Sequence, residues 1–194
     1  MSDWSPAYPV RLTSDLVVDL PLVRDPATGF AFYSFNMMGK AGWCKKTASE
    51  LLYRLNLRLD KPPEAFVTAE AKAIALTQEL ARNLRHDRYV VLRKSRKSYM
   101  QDPISFRGDS ITSGDQEYWV EQTDLDYLHG KRVVLVDDVV STGGTAKTFL
   151  KVIGLVQCRL EAFCCVLTEG TQWTEFEGIP VVSLNHIPLP GITG

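Results

Sequence analysis

From residue 65 to residue 184, short apolar segments alternate with segments whose apolar residues recur at helical spacing. Five apolar segments are predicted to be strands: Ala65–Thr68, Arg88–Leu92, Arg132–Val136, Glu161–Leu167 and Pro180–Leu184. Helical periodicity follows the first of them at residues 71–84 and the third at residues 145–156. This alternation predicts an α/β fold, in which a central, mostly parallel sheet is flanked by helices on both faces.

The N-terminal part of the chain has a different pattern. Two apolar segments, residues 16–22 and 30–35, are separated by a segment in which Pro26 and Gly29 favour a turn, so a β-hairpin is predicted. Leucines at helical spacing then predict a helix over Thr47–Leu59, which the following prolines would end. We expect all 194 residues to form a single domain.

The charge balance excludes some classes of partner. The chain has 22 basic and 23 acidic residues and a net charge of −1, so no overall excess of positive charge indicates nucleic acid or an anionic membrane as a partner. It has neither a recognisable signal peptide nor an apolar run that approaches the length of a membrane span, so we expect a cytoplasmic protein.

Polar residues follow the predicted strand Arg132–Val136. Asp137 and Asp138 come at its carboxyl end, where two adjacent carboxylates need a cation or donors such as sugar hydroxyls. The next segment, Ser141–Thr145, supplies hydroxyl groups, two glycines and the start of a helix, which together favour a phosphate group. The pattern indicates a ribose phosphate site, although acids that cap a turn beside permissive glycines are the simpler alternative.

The segment Val133–Thr145 resembles the signature of type I phosphoribosyltransferases, of the purine kind that acts on adenine or xanthine. The resemblance implies that the chain binds 5-phosphoribosyl 1-pyrophosphate with Mg²⁺. Asp137 and Asp138 would hold the ribose hydroxyls and the metal, through water or substrate, with Asp138 also counted as catalytic. The 5′-phosphate and ribose would contact Val139, Val140, Ser141, Thr142, Gly143, Gly144 and Thr145.

Two further segments resemble pyrophosphate-binding parts of this family. One is Ala69, Glu70, Ala71 and Lys72, although Lys72 and Ala73 stand where adenine-type enzymes have Arg-Gly. The other is the basic segment with Arg93, Lys94 and Lys97, of which Lys97 is also a candidate catalytic residue. In the family, some of these basic groups reach a neighbouring subunit, which implies a homodimer.

The resemblance also implies a flexible lid over residues 99–118 that closes over the reacting centre. Adenine-type enzymes place a catalytic glutamate just after this lid. Glu117 and Glu121 are nearby, but neither has the expected spacing before Asp137, so the acid/base residue is not assigned.

A hood formed by residues 1–40 would stack the base, and its candidate side chains are Phe30, Phe32, Tyr33 and Phe35. Hypoxanthine-guanine enzymes have an aspartate where this chain has Ser141. This difference weakens the assignment of the chain to enzymes that act on hypoxanthine or guanine. The segment Ile179–Leu184 resembles xanthine-type members. The favoured function is transfer of the phosphoribosyl group to a purine base. Adenine is the preferred base, and xanthine or another base is the alternative.

Two other classes of function stay open at this point. A ligand-sensing regulator could keep the ribose phosphate site and lack transfer activity. Regulators of that kind usually carry a DNA-binding element, and the sequence has neither a basic helix nor a second domain to supply one. A structural protein with a relic loop is disfavoured, because charged residues follow three separate predicted strands.

Overall fold

The computed structural model describes residues 5–107 and 117–190. The elements, in chain order, are β1 (Ala7–Thr13), β2 (Leu16–Arg24), β3 (Ala31–Tyr33), α1 (Ala41–Arg58), β4 (Ala65–Ala69), α2 (Ile74–Asn83), β5 (Val90–Leu92), β6 (Pro103–Arg107), β7 (Glu117–Glu121), α3 (Gln122–Leu128), β8 (Arg132–Val140), α4 (Gly144–Leu155), β9 (Arg159–Glu169), β10 (Glu175–Phe176) and β11 (Ile179–Ile187).

The central sheet has six strands in the order β10-β11-β9-β8-β4-β5. Strands β11, β9, β8, β4 and β5 are parallel to one another, and the short β10 pairs antiparallel with β11. The α/β fold with a mostly parallel central sheet is therefore confirmed. Strands β8 and β9 lie in the interior of the sheet, as their nearly continuous apolar sequences require.

Strands β1, β2 and β3 form a separate antiparallel sheet, the hood. The predicted hairpin corresponds to β2 and β3, and β1 is an addition to it. One buried core joins the hood to α1, α2 and the central strands, and it includes Val10, Leu12 and Leu20 from the hood beside Val134 and Cys164. A second core on the opposite face of the sheet contains Phe149 of α4 and Leu128 of α3.

Two helices begin at other residues than the sequence predicts. Helix α1 begins at Ala41, before Thr47, and no side chain caps its first turn, so the usual start signal is missing. Helix α2 begins at Ile74 rather than residue 71, because Ala71–Ala73 form a turn. Neither shift moves a helix to another position in the fold.

Strand β8 is longer than predicted, and this changes the position of the acidic pair. Asp137 pairs with Cys165 and Val139 with Leu167 of β9, so the parallel ladder continues past both aspartates. The expectation that Asp137 and Asp138 follow the strand is wrong: they lie within it. Strand β9 continues the backbone ladder beside them, which lets β8 carry polar side chains near its end.

Part of the predicted lid segment belongs to a pair of strands. Strands β6 and β7 pair antiparallel, from Pro103 with Glu121 to Arg107 with Glu117, in a region for which no strand is predicted from the sequence. Residues 108–116, the middle of the predicted lid, lie outside the described residues. Among the helices of residues 5–107 and 117–190, none is long and apolar enough to cross a membrane.

Candidate active site

A cleft of about 300 Å³ opens where β4, β8 and β9 end. Three groups of side chains predicted from separate parts of the sequence meet in it, namely the hood, the turn after β4 and the acidic pair of β8. The residues that line the cleft are Phe32, Tyr33, Ser34, Phe35, Ala69, Glu70, Ala71, Lys72, Lys94, Tyr118, Asp137, Asp138, Val139, Ser141, Thr145 and Glu169.

The acidic pair, Asp137 and Asp138, brings two carboxyl groups close together in the cleft. Asp138 is 6 % exposed, and its Oδ2 has no hydrogen-bond partner among the described residues, although Lys72 Nζ lies 3.4 Å away. The Asp138 backbone N–H donates to Asp137 Oδ1 at 2.8 Å. Burial, and then the charge of Asp138, raise the pKa of Asp137 well above its usual range. The pair therefore favours additional positive charge.

The two carboxylates fit a loosely held divalent cation better than a protein-made cage. The described residues contain no cluster of three or more His, Cys, Asp or Glu side chains that could enclose a metal ion. Mg²⁺ keeps several waters and is commonly bound through one or two carboxylates together with substrate oxygens. The observation that supports this fit is Asp138 Oδ2, a buried oxygen that accepts no hydrogen bond from the described residues.

A second pocket, of about 150 Å³, adjoins the first and lies over the start of α4. It is lined by Asp137, Val139, Val140 and the residues from Ser141 to Ala146. Gly143 has φ +79° and precedes the first residue of α4, and no side chain caps its first turn. The N–H groups of this turn are therefore available to an anion, and the positive end of the helix favours one.

The turn after β4 contacts the basic segment through Glu70. Glu70 Oε1 accepts from Arg93 Nη1 at 3.2 Å, its Oε2 accepts from the Lys94 backbone N–H at 2.9 Å, and Lys97 Nζ lies 3.6 Å from Oε1. Burial opposes ionisation of Glu70, but the Lys94 hydrogen bond and the charges of Lys97 and Arg93 lower its pKa overall. The peptide bond between Glu70 and Ala71 is cis.

The basic residues do not all reach the cleft. Lys72 and Lys94 line it, whereas Arg93 and Lys97 are not among its lining residues and contact Glu70 instead. Lys97 Nζ also donates to Ser95 Oγ at 2.9 Å. Glu70 thus pairs with two basic side chains, Arg93 and Lys97, beside the cleft. The catalytic role of Lys97 stays a prediction.

Only some of the residues predicted to stack on the base or to serve as the acid/base residue line the cleft. Phe32, Tyr33 and Phe35 line the cleft and Phe30 does not. Tyr33 and Phe35 are 2 % and 3 % exposed, so they belong mainly to the core, while Phe32 is half-buried. Neither Glu117 nor Glu121 lines the cleft, and Glu121 Oε1 accepts from the Gln101 backbone N–H.

Two titratable residues of the cleft, Tyr118 and Glu169, are absent from the sequence-based site. Glu169 ends β9, and burial raises the pKa of its carboxyl, against the opposing effects of the Ser141 hydroxyl and the Lys72 charge. Burial, and then Asp137, raise the pKa of Tyr118. Glu169 follows an apolar strand, the same signal that indicated Asp137, and could have been found from it.

The fold and the cleft define an α/β protein with a polar cleft at the carboxyl ends of its parallel strands. The chain belongs to the phosphoribosyl transferase domain family, whose model matches residues 42–189. The family recognised in the sequence is confirmed.

Individual relatives agree with this assignment. The adenine phosphoribosyltransferase of Brucella suis is 29% identical over 178 residues, which cover 88% of this chain and 91% of that protein. The hypoxanthine/guanine phosphoribosyltransferase of Methanococcus voltae is 28% identical over 150 residues, 75% of this chain and 73% of that protein. The adenine phosphoribosyltransferase structure from Thermoanaerobacter pseudethanolicus has the same fold, with a TM-score of 0.69 and 18% identity over 87% of this chain and 95% of that one.

Proposed function

We propose that this protein transfers the 5-phosphoribosyl group from 5-phosphoribosyl 1-pyrophosphate to a purine base and releases pyrophosphate. One observation carries the proposal: a single cleft joins an aromatic hood, one buried and one half-buried carboxylate, and a turn that bears lysine. A base, a ribose and a pyrophosphate need these three surroundings side by side. The adjoining pocket at the start of α4 suits the 5′-phosphate.

The proposed roles follow the geometry of the cleft. Asp137 and Asp138 hold the ribose hydroxyls and, through water or substrate oxygens, Mg²⁺. Residues 139–145, the phosphate loop, bind the 5′-phosphate with backbone N–H groups. The pyrophosphate contacts the turn of residues 69–72 and the basic residues after β5.

The reaction is a substitution at C1′ of the ribose. A purine nitrogen forms the new bond to C1′ as the bond to the pyrophosphate oxygen breaks. Pyrophosphate leaves with the electron pair, and the imidazole N–H proton of the purine passes to solvent. Lys72 and Lys94 face the developing negative charge, and the two aspartates face the positive charge on the ribose. Bound Mg²⁺ would supply further neutralisation of the pyrophosphate.

Adenine is the favoured base. The Brucella suis and Thermoanaerobacter pseudethanolicus proteins are named as adenine enzymes, and a Saccharomyces cerevisiae structure with a TM-score of 0.66 was solved with adenine bound. Ser141 lines the cleft where hypoxanthine-guanine enzymes have an aspartate. A cytoplasmic homodimer is part of the same proposal, and sedimentation equilibrium tests the dimer.

The experiment that tests the function is pyrophosphate release from 5-phosphoribosyl 1-pyrophosphate and Mg²⁺, with adenine, xanthine, hypoxanthine, guanine and orotate supplied separately. Turnover with adenine alone supports the proposal in full. Turnover with another purine corrects the base. Tight binding of 5-phosphoribosyl 1-pyrophosphate without turnover on any base would contradict transfer and favour a ligand-sensing regulator.

Replacing Phe32 tests the hood. Phe32→Ala should raise KM for adenine about tenfold, because stacking on an aromatic side chain contributes about 1–3 kcal/mol per base. KM for 5-phosphoribosyl 1-pyrophosphate should change little. Phe30→Ala is the matched control, since Phe30 is also half-buried but does not line the cleft. Equal KM changes in the two variants would argue against stacking on Phe32.

A further inference from the structure

The segment between β9 and β11 contacts the phosphate loop from outside the pocket. Trp173 Nε1 donates a hydrogen bond to the Ser141 carbonyl oxygen at 2.7 Å, and the indole is partly buried. Trp173 lines neither the cleft nor the adjoining pocket, whereas Ser141 lines both. The indole therefore acts on the backbone of the loop and does not reach the space where a ligand would lie.

Fixing this carbonyl also fixes the next N–H group. The Ser141 carbonyl and the Thr142 N–H belong to one planar peptide, which is trans, so they point in opposite directions. With the carbonyl held by Trp173, the Thr142 N–H is turned away from the indole. Thr142 lines the pocket at the start of α4, which Trp173 does not reach, so an N–H turned away from the indole is able to face that pocket.

An aromatic cluster holds Trp173 and the next turn of the loop in place. The rings of Trp173 and Phe176 meet edge to face with centroids 5.2 Å apart, and Phe176 meets Phe163 of β9 in the same way at 5.6 Å. Phe176 also covers Gly143, where an added Cβ would lie 2.9 Å from its Cζ and closer still to its Cε2. The cluster therefore supports the loop at two points, the peptide after Ser141 and Gly143.

We infer that Trp173 is a positioning residue for 5′-phosphate binding, which acts by holding the Ser141–Thr142 peptide so that the Thr142 N–H faces the phosphate. The inference rests on the proposed function of the phosphate loop. A backbone amide preset toward an anion binds it without the cost of reorganising the loop. Without the indole N–H, the peptide is free to rotate and that hydrogen bond is lost for part of the time.

Trp173→Phe tests this role because it removes the N–H donor and keeps an aromatic ring against Phe176. Hydrogen bonds to charged groups contribute enough that the Kd for ribose 5-phosphate should rise about tenfold. The Kd for pyrophosphate should stay unchanged, since it binds elsewhere in the cleft. Trp43→Phe makes the same chemical change in α1, at a residue that does not line either pocket, and should leave both Kd values unchanged.

The possible outcomes separate this role from general packing. A selective rise in the Kd for ribose 5-phosphate supports it. An unchanged Kd, with or without a lower Tm, overturns it, and so does an equal loss of affinity for ribose 5-phosphate and pyrophosphate. Failure of the wild-type protein to bind ribose 5-phosphate would overturn the proposed function as well.

A second measurement does not depend on the folding of a variant. In the wild-type protein, ribose 5-phosphate should slow hydrogen exchange of the Thr142 amide, measured by NMR. Slower exchange at Thr142 supports the contact between this amide and the phosphate that the role of Trp173 requires. Unaltered exchange at saturating ligand would overturn it.

Discussion

Asp138→Asn should lower the rate of pyrophosphate release by at least about 100-fold, the scale on which single charge-stabilising groups act in catalysis. The unfolding free energy should change by less than about 1 kcal/mol. Asparagine has nearly the same shape, the Lys72 partner is half-exposed and contributes little, and the change relieves repulsion with Asp137. Steady-state kinetics and urea denaturation measure the two effects.

Asp124→Asn is the matched control for this prediction. Asp124 forms a salt bridge with Arg88 and does not line the cleft, so the same loss of charge should leave turnover unchanged. If the turnover of Asp138→Asn fell only as much as the fraction of folded protein, the proposed role of Asp138 in binding ribose and metal would be wrong.

Gly143→Ala should destabilise the protein by about 2–5 kcal/mol and abolish most ribose 5-phosphate binding. Two costs combine at this residue. A left-handed backbone costs a side chain about 1–2 kcal/mol, and overpacking against Phe176 costs about 1–3 kcal/mol more. Urea denaturation gives the first effect, and titration calorimetry with ribose 5-phosphate gives the second.

Two other glycines separate these costs. Gly130 has φ +71° and no atom would lie within 4 Å of an added Cβ, so Gly130→Ala should lose only about 1–2 kcal/mol. Gly154 lies inside α4 in open space, so Gly154→Ala should gain about 0.5–1 kcal/mol. A loss at Gly143 no larger than that at Gly130 would show that Phe176 yields easily.

The alternation of strands and helices from β4 to β11 could be predicted, mainly because β4, β8 and β9 are largely buried and have nearly continuous apolar sequences. The end of β8 could not, since Asp137 and Asp138 look like the start of a loop and only their pairing with β9 keeps them in the strand. Strand β1 was missed for a related reason. Its inward residues are few, Val10 and Leu12, and the hairpin signal of the following strands is stronger.

The residues of the candidate site also fall into those that the sequence predicts and those that it does not. Site residues that are close together in the chain form recognisable motifs. The Ser141–Thr145 loop and the Glu70–Lys72 turn are examples. Tyr118 and Trp173 reach the site from distant parts of the chain, so no spacing relates them to Asp137 or Ser141. Their positions depend on how β7 and the segment after β9 pack, which a single sequence does not specify.

The core that the hood shares with the central sheet determines how a base enters and leaves. Swinging the hood away would expose Val10, Leu12 and Leu20, and each buried aliphatic side chain contributes about 1.5–3 kcal/mol. The aromatic wall of the cleft is therefore fixed during turnover. A base and its product would then exchange through the part of the cleft that the hood does not close, where Tyr118 of β7 lies.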